Sequence, residues 1–180
     1  MLIKILIGIA ALIAVVLIAA AFQPTAFTVS RSTLISAPPS AIFPEVNDLH
    51  RWAAWSPYEK LDPGMQRTFE GAPAGVGAVY AWAGNSQAGS GKMTITDSRP
   101  GELIGIKLEF FKPMAGVAQA TFGFQPESGQ TRVTWAMTGT NNYVGKIFCL
   151  FMNMDKMVGG QFEEGLAALK ANAEAGGVKK

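Results

Sequence analysis

"ELIGIKLEFFKPMAGVAQATFGFQPESGQTRVTWAMTG", residues 102–139, decides the fold. Ile104, Ile106, Leu108 and Phe110 alternate with Gly105, Lys107 and Glu109. Phe122 and Phe124 alternate with Thr121, Gly123 and Gln125, and Val133, Trp135 and Met137 alternate with Arg132, Thr134 and Thr138. A period of two is the mark of a strand with one apolar and one polar face. Ser128-Gly129 is a turn signal between two of these runs, and Pro100-Gly101 precedes the first. Connections this short join antiparallel neighbours. The stretch therefore predicts an antiparallel meander whose apolar face needs a cover.

Upstream the same grammar continues. "MQRTFEG" (65–71), "GAVYAWAGN" (77–85) and "GKMTITDS" (91–98) are strand-like runs separated by Gly, Pro and Asn, and "AFTVSRSTLISA" (26–37) is β-branched and extended. Between them, Pro39 suits a first helical position, and Ile42, Phe43, Val46 and Leu49 form an apolar stripe that Pro44 should kink or shorten. Downstream, "GKIFCLFMNMDKMVGGQFEEGLAALKANAE" (145–174) carries Ile147, Leu150, Phe151, Met154, Met157, Val158, Phe162, Leu166 and Leu169 at three- and four-residue steps. This is an amphipathic helix to cover the sheet. Gly159-Gly160 predicts a kink or break in its middle.

Ahead of these elements, Ile5 to Phe22 contains no charged or hydrogen-bonding side chain. That is about 18 residues, or about 27 Å of helix, enough to cross a hydrocarbon core. Residues 1–23 read as a membrane anchor, with residues 24–180 as the following domain. The alternative is a signal peptide cleaved near Ala21, after the small residues Ala19-Ala20-Ala21. Lys4 and the α-amine precede the segment, and the first positive residue after it is Arg31. This favours a single pass with the domain outside the cytoplasm, periplasmic in a bacterial cell.

Hydrophobic residues make up 49% of the 180 and charged residues 16%, which supplies ample core. A net charge of +2, with no basic run beyond Lys179-Lys180, gives no field for nucleic acid. One cysteine, Cys149, excludes an internal disulfide, and one histidine, His50, leaves no Cys/His set for zinc. No cofactor motif is present: "GVG" (75–77) and "GSG" (89–91) are hairpin glycines without the strand-to-helix context of a phosphate cradle. His50 lacks a partner in sequence and reads as a surface or capping residue. Cys149, among Phe148, Leu150 and Phe151, reads as a small buried hydrophobe. No catalytic residue is assigned.

The order strand, helix pair, long antiparallel sheet and C-terminal helix resembles the helix-grip fold of the START-like (SRPBCC) superfamily. The words "RSTLISAPPSAIFPEVNDLHRWAAWSPY", "GVGAVYAWAGN", "GKMTITDSRPGELI", "TRVTWAMTG" and "MDKMVGGQFEEGLAALK" are similar to its polyketide cyclase/dehydrase and lipid-transport subgroup. A membrane helix fused ahead of the domain is similar to many bacterial members. The resemblance implies an α+β fold in which a curved antiparallel sheet wraps around the long C-terminal helix and leaves a cavity between them.

It also implies where a ligand would sit. Trp52 and Trp55 share a face if 49–56 is helical, and with Tyr58 they would wall the cavity mouth, Pro57 stiffening the turn. Tyr80, Trp82, Phe122 and Trp135 would line the concave face, joined by the adaptable side chains of Met137, Met152, Met154 and Met157. Asn142, with Asn141 and Tyr143, would orient a head group or cap the helix. The implied activity is binding of a lipid or other hydrophobic small molecule at the membrane, with residues 5–22 held in the bilayer. A polyketide cyclase- or dehydratase-like enzyme is the alternative, and a protein-interaction module a weaker one.

Overall fold

The computed structural model describes residues 1–177; Lys179 and Lys180 lie outside the described residues. Helix α1 (Leu2–Ala21) leads into strand β1 (Ala26–Ile35). Helix α2 (Pro39–Asn47) and two 3-10 turns (Leu49–Ala54 and Pro57–Lys60) follow. Strands β2 (Gln66–Gly71), β3 (Ala78–Ala83), β4 (Ser90–Arg99), β5 (Leu103–Lys112), β6 (Gly116–Glu127) and β7 (Gln130–Thr140) come next, then helices α3 (Tyr143–Phe151) and α4 (Met154–Gly177). The strands form one antiparallel sheet in the order β1-β7-β6-β5-β4-β3-β2. Only β1 leaves the meander: it crosses by way of α2 to the far edge and is itself zipped to β7. The antiparallel meander is the one the alternation predicted, and the α+β helix-grip arrangement is the one the resemblance implied.

The predicted turns form for local reasons. Glu127 pairs with Gln130, and the two residues between them, Ser128 and Gly129, have φ of 49° and 82°. Both central residues at positive φ match the right-handed twist of the strands they join. In α2, Pro39 opens the helix, Pro44 is accommodated inside it, and the helix ends at Asn47.

The register sorts the concave face into rows. One row runs Tyr80, Met93, Leu108, Ala118, Gly139, Phe27. The next runs Ile95, Ile106, Ala120, Met137, Val29, and the next Ile104, Phe122, Trp135, Arg31. Large rings thus sit toward the α2 end of β6 and β7, and Ala118, Ala120 and Gly139 toward the end that adjoins α1. The opposite face is ionic: Glu109 pairs with Lys92 and Lys107, and Arg132 with Glu127.

The C-terminal segment departs from expectation in two ways. The break falls at Met152-Asn153, and α4 runs unbroken through Gly159-Gly160. Met152 is extended, with φ −125° and ψ 128°, and the Asn153 side chain accepts from the Lys156 N–H at 2.9 Å, as an N-cap does. The glycines have another use. A Cβ on Gly159 would lie 2.1 Å from the Arg31 guanidinium, and one on Gly165 would lie 2.8 Å from the Trp135 ring and 2.9 Å from Pro57. Glycine at these two positions lets the sheet and the 3-10 turn approach the helix backbone.

The second departure is the length of the cover. Only the later part of the apolar stripe, Phe162, Leu166 and Leu169 with Val158 beside them, is in the core. Helix α3 packs beside α1, where the Tyr143 hydroxyl donates to the Leu17 carbonyl at 2.6 Å.

Candidate ligand-binding interior and its mouth

The aromatic residues named from the sequence gather around Trp135. Its ring stacks on Phe162 of α4 at 4.1 Å and on Phe122 at 4.8 Å. Trp55 and Trp52 meet it edge-on at 5.7 and 6.3 Å, and Tyr58 at 6.3 Å. Trp52 and Trp55 belong to a 3-10 turn and the residue that closes it, so residues three apart eclipse, and their rings lie 4.7 Å apart. Each indole N–H is satisfied by α2: Trp52 donates to the Val46 carbonyl at 3.0 Å and Trp55 to the Glu45 carbonyl at 2.9 Å. Trp52, Trp55, Phe122 and Trp135 are all buried, and Tyr58 stands at their solvent edge. These rings interlock sheet, turns and α4.

Tyr80 and Trp82 lie further along the face, stacked at 6.2 Å. The Tyr80 hydroxyl donates to Glu59 at 2.6 Å, and the other carboxylate oxygen of Glu59 accepts from Arg67 at 2.7 Å. Burial, and then the hydrogen bond to Glu59, raise the Tyr80 pKa, so its proton is held tightly. Sequence reasoning missed this triad, because Glu59, Arg67 and Tyr80 come from a turn and two strands. The half-buried Trp82 donates to the Ala88 carbonyl and touches Phe110 edge-on. Met137 is buried beside Ala120.

Asn142 caps α3, its side chain accepting from the Gly145 N–H at 2.8 Å. Met154 is half-buried and Met157 exposed, so the structure does not bring Met157 to the aromatic cluster. Cys149, expected in the core, is half-exposed and lines a surface groove; Asn141 donates to its sulfur at 3.6 Å. His50 is at the surface: Asp48 caps its backbone N–H, and its ring stacks on Phe69 at 4.1 Å.

Two further features stand beside these rings. The first is an open groove of about 590 Å³ where α1 leaves off, between Pro24, Phe27, Leu150, Phe151, Met152 and Met154. Phe27 also reaches inward: its ring covers Gly139, where a Cβ would lie 2.7 Å from it. The groove thus adjoins the small-residue row of the concave face. The second is Gln161. It shares a side of α4 with Val158 and Gly165, one turn from the contact with Trp135 and Pro57. Its Oε1 is buried and finds no hydrogen-bond donor among the described residues. A buried acceptor left unpaired costs about 1–3 kcal/mol.

At the head of α4, Asp155 and Glu163 grip Arg31. Arg31 meets both Asp155 oxygens at 3.0 Å and Glu163 at 2.7 Å. Those hydrogen bonds, Asp155 first, raise the Arg31 pKa and keep it charged. Among the described residues, no group of three or more His, Cys, Asp or Glu side chains is placed to hold a metal ion.

The comparisons agree with this architecture. The family described as polyketide cyclase / dehydrase and lipid transport matches residues 26–174, and the chain belongs to that family. Protein CV1439 from Chromobacterium violaceum has a similar structure, with a TM-score of 0.60 at 18% identity over 82% of this chain and 96% of that one. The Aha1 dimer from Colwellia psychrerythraea is similar at 0.59, with 14% identity over 82% of this chain and 96% of that one. The di-domain ARO/CYC protein BexL from the BE-7585A biosynthetic pathway is similar at 0.62, with 13% identity over 87% of this chain and 52% of that one. At these identities the likeness is one of fold. No curated protein sequence matches the chain.

Proposed function

We propose that the protein binds a lipid or another hydrophobic small molecule that bears a hydrogen-bond donor, between the concave face and α4. Residues 1–23 act as its membrane anchor, and residues 24–180 form the binding unit outside the cytoplasm. Tyr80, Trp82 and Met137 would wall the ligand, with the packed rings of Phe122, Trp135, Trp52, Trp55 and Tyr58 closing one end and Asn142 and Met154 at the groove. Met157 lies outside that wall. Gln161 carries the reading: a half-buried side chain on α4, beside the clamp, whose buried amide oxygen has no donor among the described residues is matched by a ligand that brings one. The ionisable groups nearby favour carriage over chemistry, because Glu59 is occupied by Arg67 and Tyr80, and Tyr80 holds its proton.

Native mass spectrometry of residues 24–180, purified without detergent, tests this; a co-purifying apolar mass is expected. Gln161→Leu removes the orphan acceptor. It should stabilise the empty protein by about 1 kcal/mol and weaken binding of a hydroxyl-bearing fluorescent fatty acid. Higher stability with unchanged affinity would remove Gln161 from the site. Turnover of a cyclisable polyketide-type substrate that Tyr80→Phe abolishes would replace the carrier by an enzyme. An inactive C-terminal alkaline phosphatase fusion in a bacterial host would reverse the topology.

A further inference from the structure

The structure leaves one apolar surface unaccounted for by the interior. Along α3 and the residue after it, Val144, Phe148, Phe151 and Met152 are 52%, 49%, 72% and 40% exposed. The spacing of four and three places Val144, Phe148 and Phe151 on one side of the helix, and Met152, in extended conformation, follows directly after it. Helix α3 contributes no buried residue to the core, although its amphipathic pattern is the clearest among the four helices α1–α4. Four large apolar side chains in a row are costly to leave in water.

The position of α3 identifies the occupant. Its first residue, Tyr143, is bonded to the carbonyl of Leu17, four residues before the end of α1. Four residues of helix span about 6 Å. If α1 crosses the bilayer, the Tyr143 hydroxyl therefore reaches about 6 Å inside the end of the span, while Asn141, two residues earlier, bonds to the Thr25 carbonyl just beyond it. Helix α3 starts at that boundary, and interfacial helices bury their apolar faces about 5–10 Å into it. Tyr143 has the amphipathic ring favoured at that level.

We propose that α3 and Met152 are a second membrane element: the Val144–Phe148–Phe151–Met152 face lies in the outer-leaflet interface of the same bilayer that α1 spans. This rests on the reading of α1 as a retained anchor. A helix of 9 residues would bind lipid weakly alone, but α1 holds it at the surface, so its insertion is intramolecular. The groove behind Phe151 and Met152 then opens at the level of the lipid rather than into bulk water. The break at Met152-Asn153 is explained as well: the chain must leave the membrane plane before α4 can cross the sheet.

Depth-dependent quenching on the full chain tests this. In a Cys149→Ser background, single cysteines Phe148→Cys, Leu12→Cys and Ser128→Cys are labelled with a polarity-sensitive fluorophore. Each protein is reconstituted in vesicles of phosphatidylcholine with a minor share of phosphatidylglycerol. At position 148 the emission should be blue-shifted and quenched severalfold more by lipid nitroxides near the head group than by aqueous iodide. Position 12 should be quenched by nitroxides deep in the chains, and position 128 by iodide alone. Quenching of position 148 by iodide while position 12 answers to deep nitroxides would overturn the proposal and leave the anchor intact. Quenching of position 12 by iodide would overturn both.

Discussion

The middle of α4 and the chain around its start are made from similar residues and behave in opposite ways. On the α2 side, Phe162 stacks on Trp135, and Gly165 lies against Trp135 and Pro57. Trp135 in turn touches Phe122, Trp52 and Trp55, and the indole N–H groups of Trp52 and Trp55 are paired. At the α1 end, Phe151, Met152 and Met157 are exposed, and a groove opens beside Met154. Aromatic and methionine content does not distinguish them. Backbone approach does: glycine and a 3-10 turn draw the chain together at one end, and at the other an extended Met152 lets it diverge. The packed end is a clamp that ties sheet, turns and helix together, and the diverging end opens the groove beside Met154.

The largest effect that could break this contrast lies at the clamp. Trp135→Ala should cost about 3–5 kcal/mol, because the surrounding rings are held by three different elements and cannot collapse together. Urea melts of residues 24–180 measure it. A much smaller loss, accompanied by a clear change in apolar-probe binding, would mean that Trp135 faces ligand rather than a packed core.

Glycine substitutions on one helix sharpen the comparison. Gly165→Ala places a methyl group against Trp135 and Pro57, neither of which has a flexible end to yield. Overpacking of about 1–3 kcal/mol should exceed the gain of about 1 kcal/mol in helix propensity, so the protein should lose stability. At Gly160 a Cβ meets nothing within 4 Å, and Gly160→Ala should raise stability by up to about 1 kcal/mol. Opposite signs in paired thermal melts are expected. The same sign for both would show that propensity, and not approach, governs α4.

These glycines also mark where the sequence stopped being legible. In 102–139 the alternation marked the strands and their faces, because a period of two admits only one assignment of inside and outside, and the short turns made neighbours antiparallel. The three- and four-residue stripe of 145–174 gave helix, but periodicity reports that a face is apolar without reporting what covers it. Ile147, Leu150 and Phe151 repeat as Phe162, Leu166 and Leu169 do, yet the first set belongs to α3 beside α1 and the second to the core. A Gly-Gly pair reads as a breaker until a guanidinium is found lying over Gly159. For the site, Trp52 and Trp55 were placed on one face by spacing alone. Glu59, Arg67 and Gln161 were not singled out, since their meaning depends on partners, or the lack of them, across the fold.

The smallest expected effect concerns the hinge between the two ends, where Arg31 ties β1 to the first turn of α4. The hydrogen bonds from Arg31 hold the Asp155 carboxyl below the usual carboxylate range. A depressed folded pKa means that the stabilisation is fully present above the unfolded value of about 4 and fades as pH falls through the folded value. The side chain of Asp155 is 62% exposed, so solvent and salt screen the pair and the contribution is modest. Asp155→Asn should therefore be slightly less stable than wild type near neutral pH. The gap should narrow as salt is added and close near pH 2, where both chains carry a neutral group at this position. Glu163 keeps its own bond to Arg31, so α4 should remain docked and the aromatic clamp unaffected. A gap that persists at low pH would place the role of Asp155 in its acidic first-turn position at the start of α4. A gap that vanishes with pH and with salt together would identify the ion pair as the source of the stabilisation that ties β1 to the start of α4.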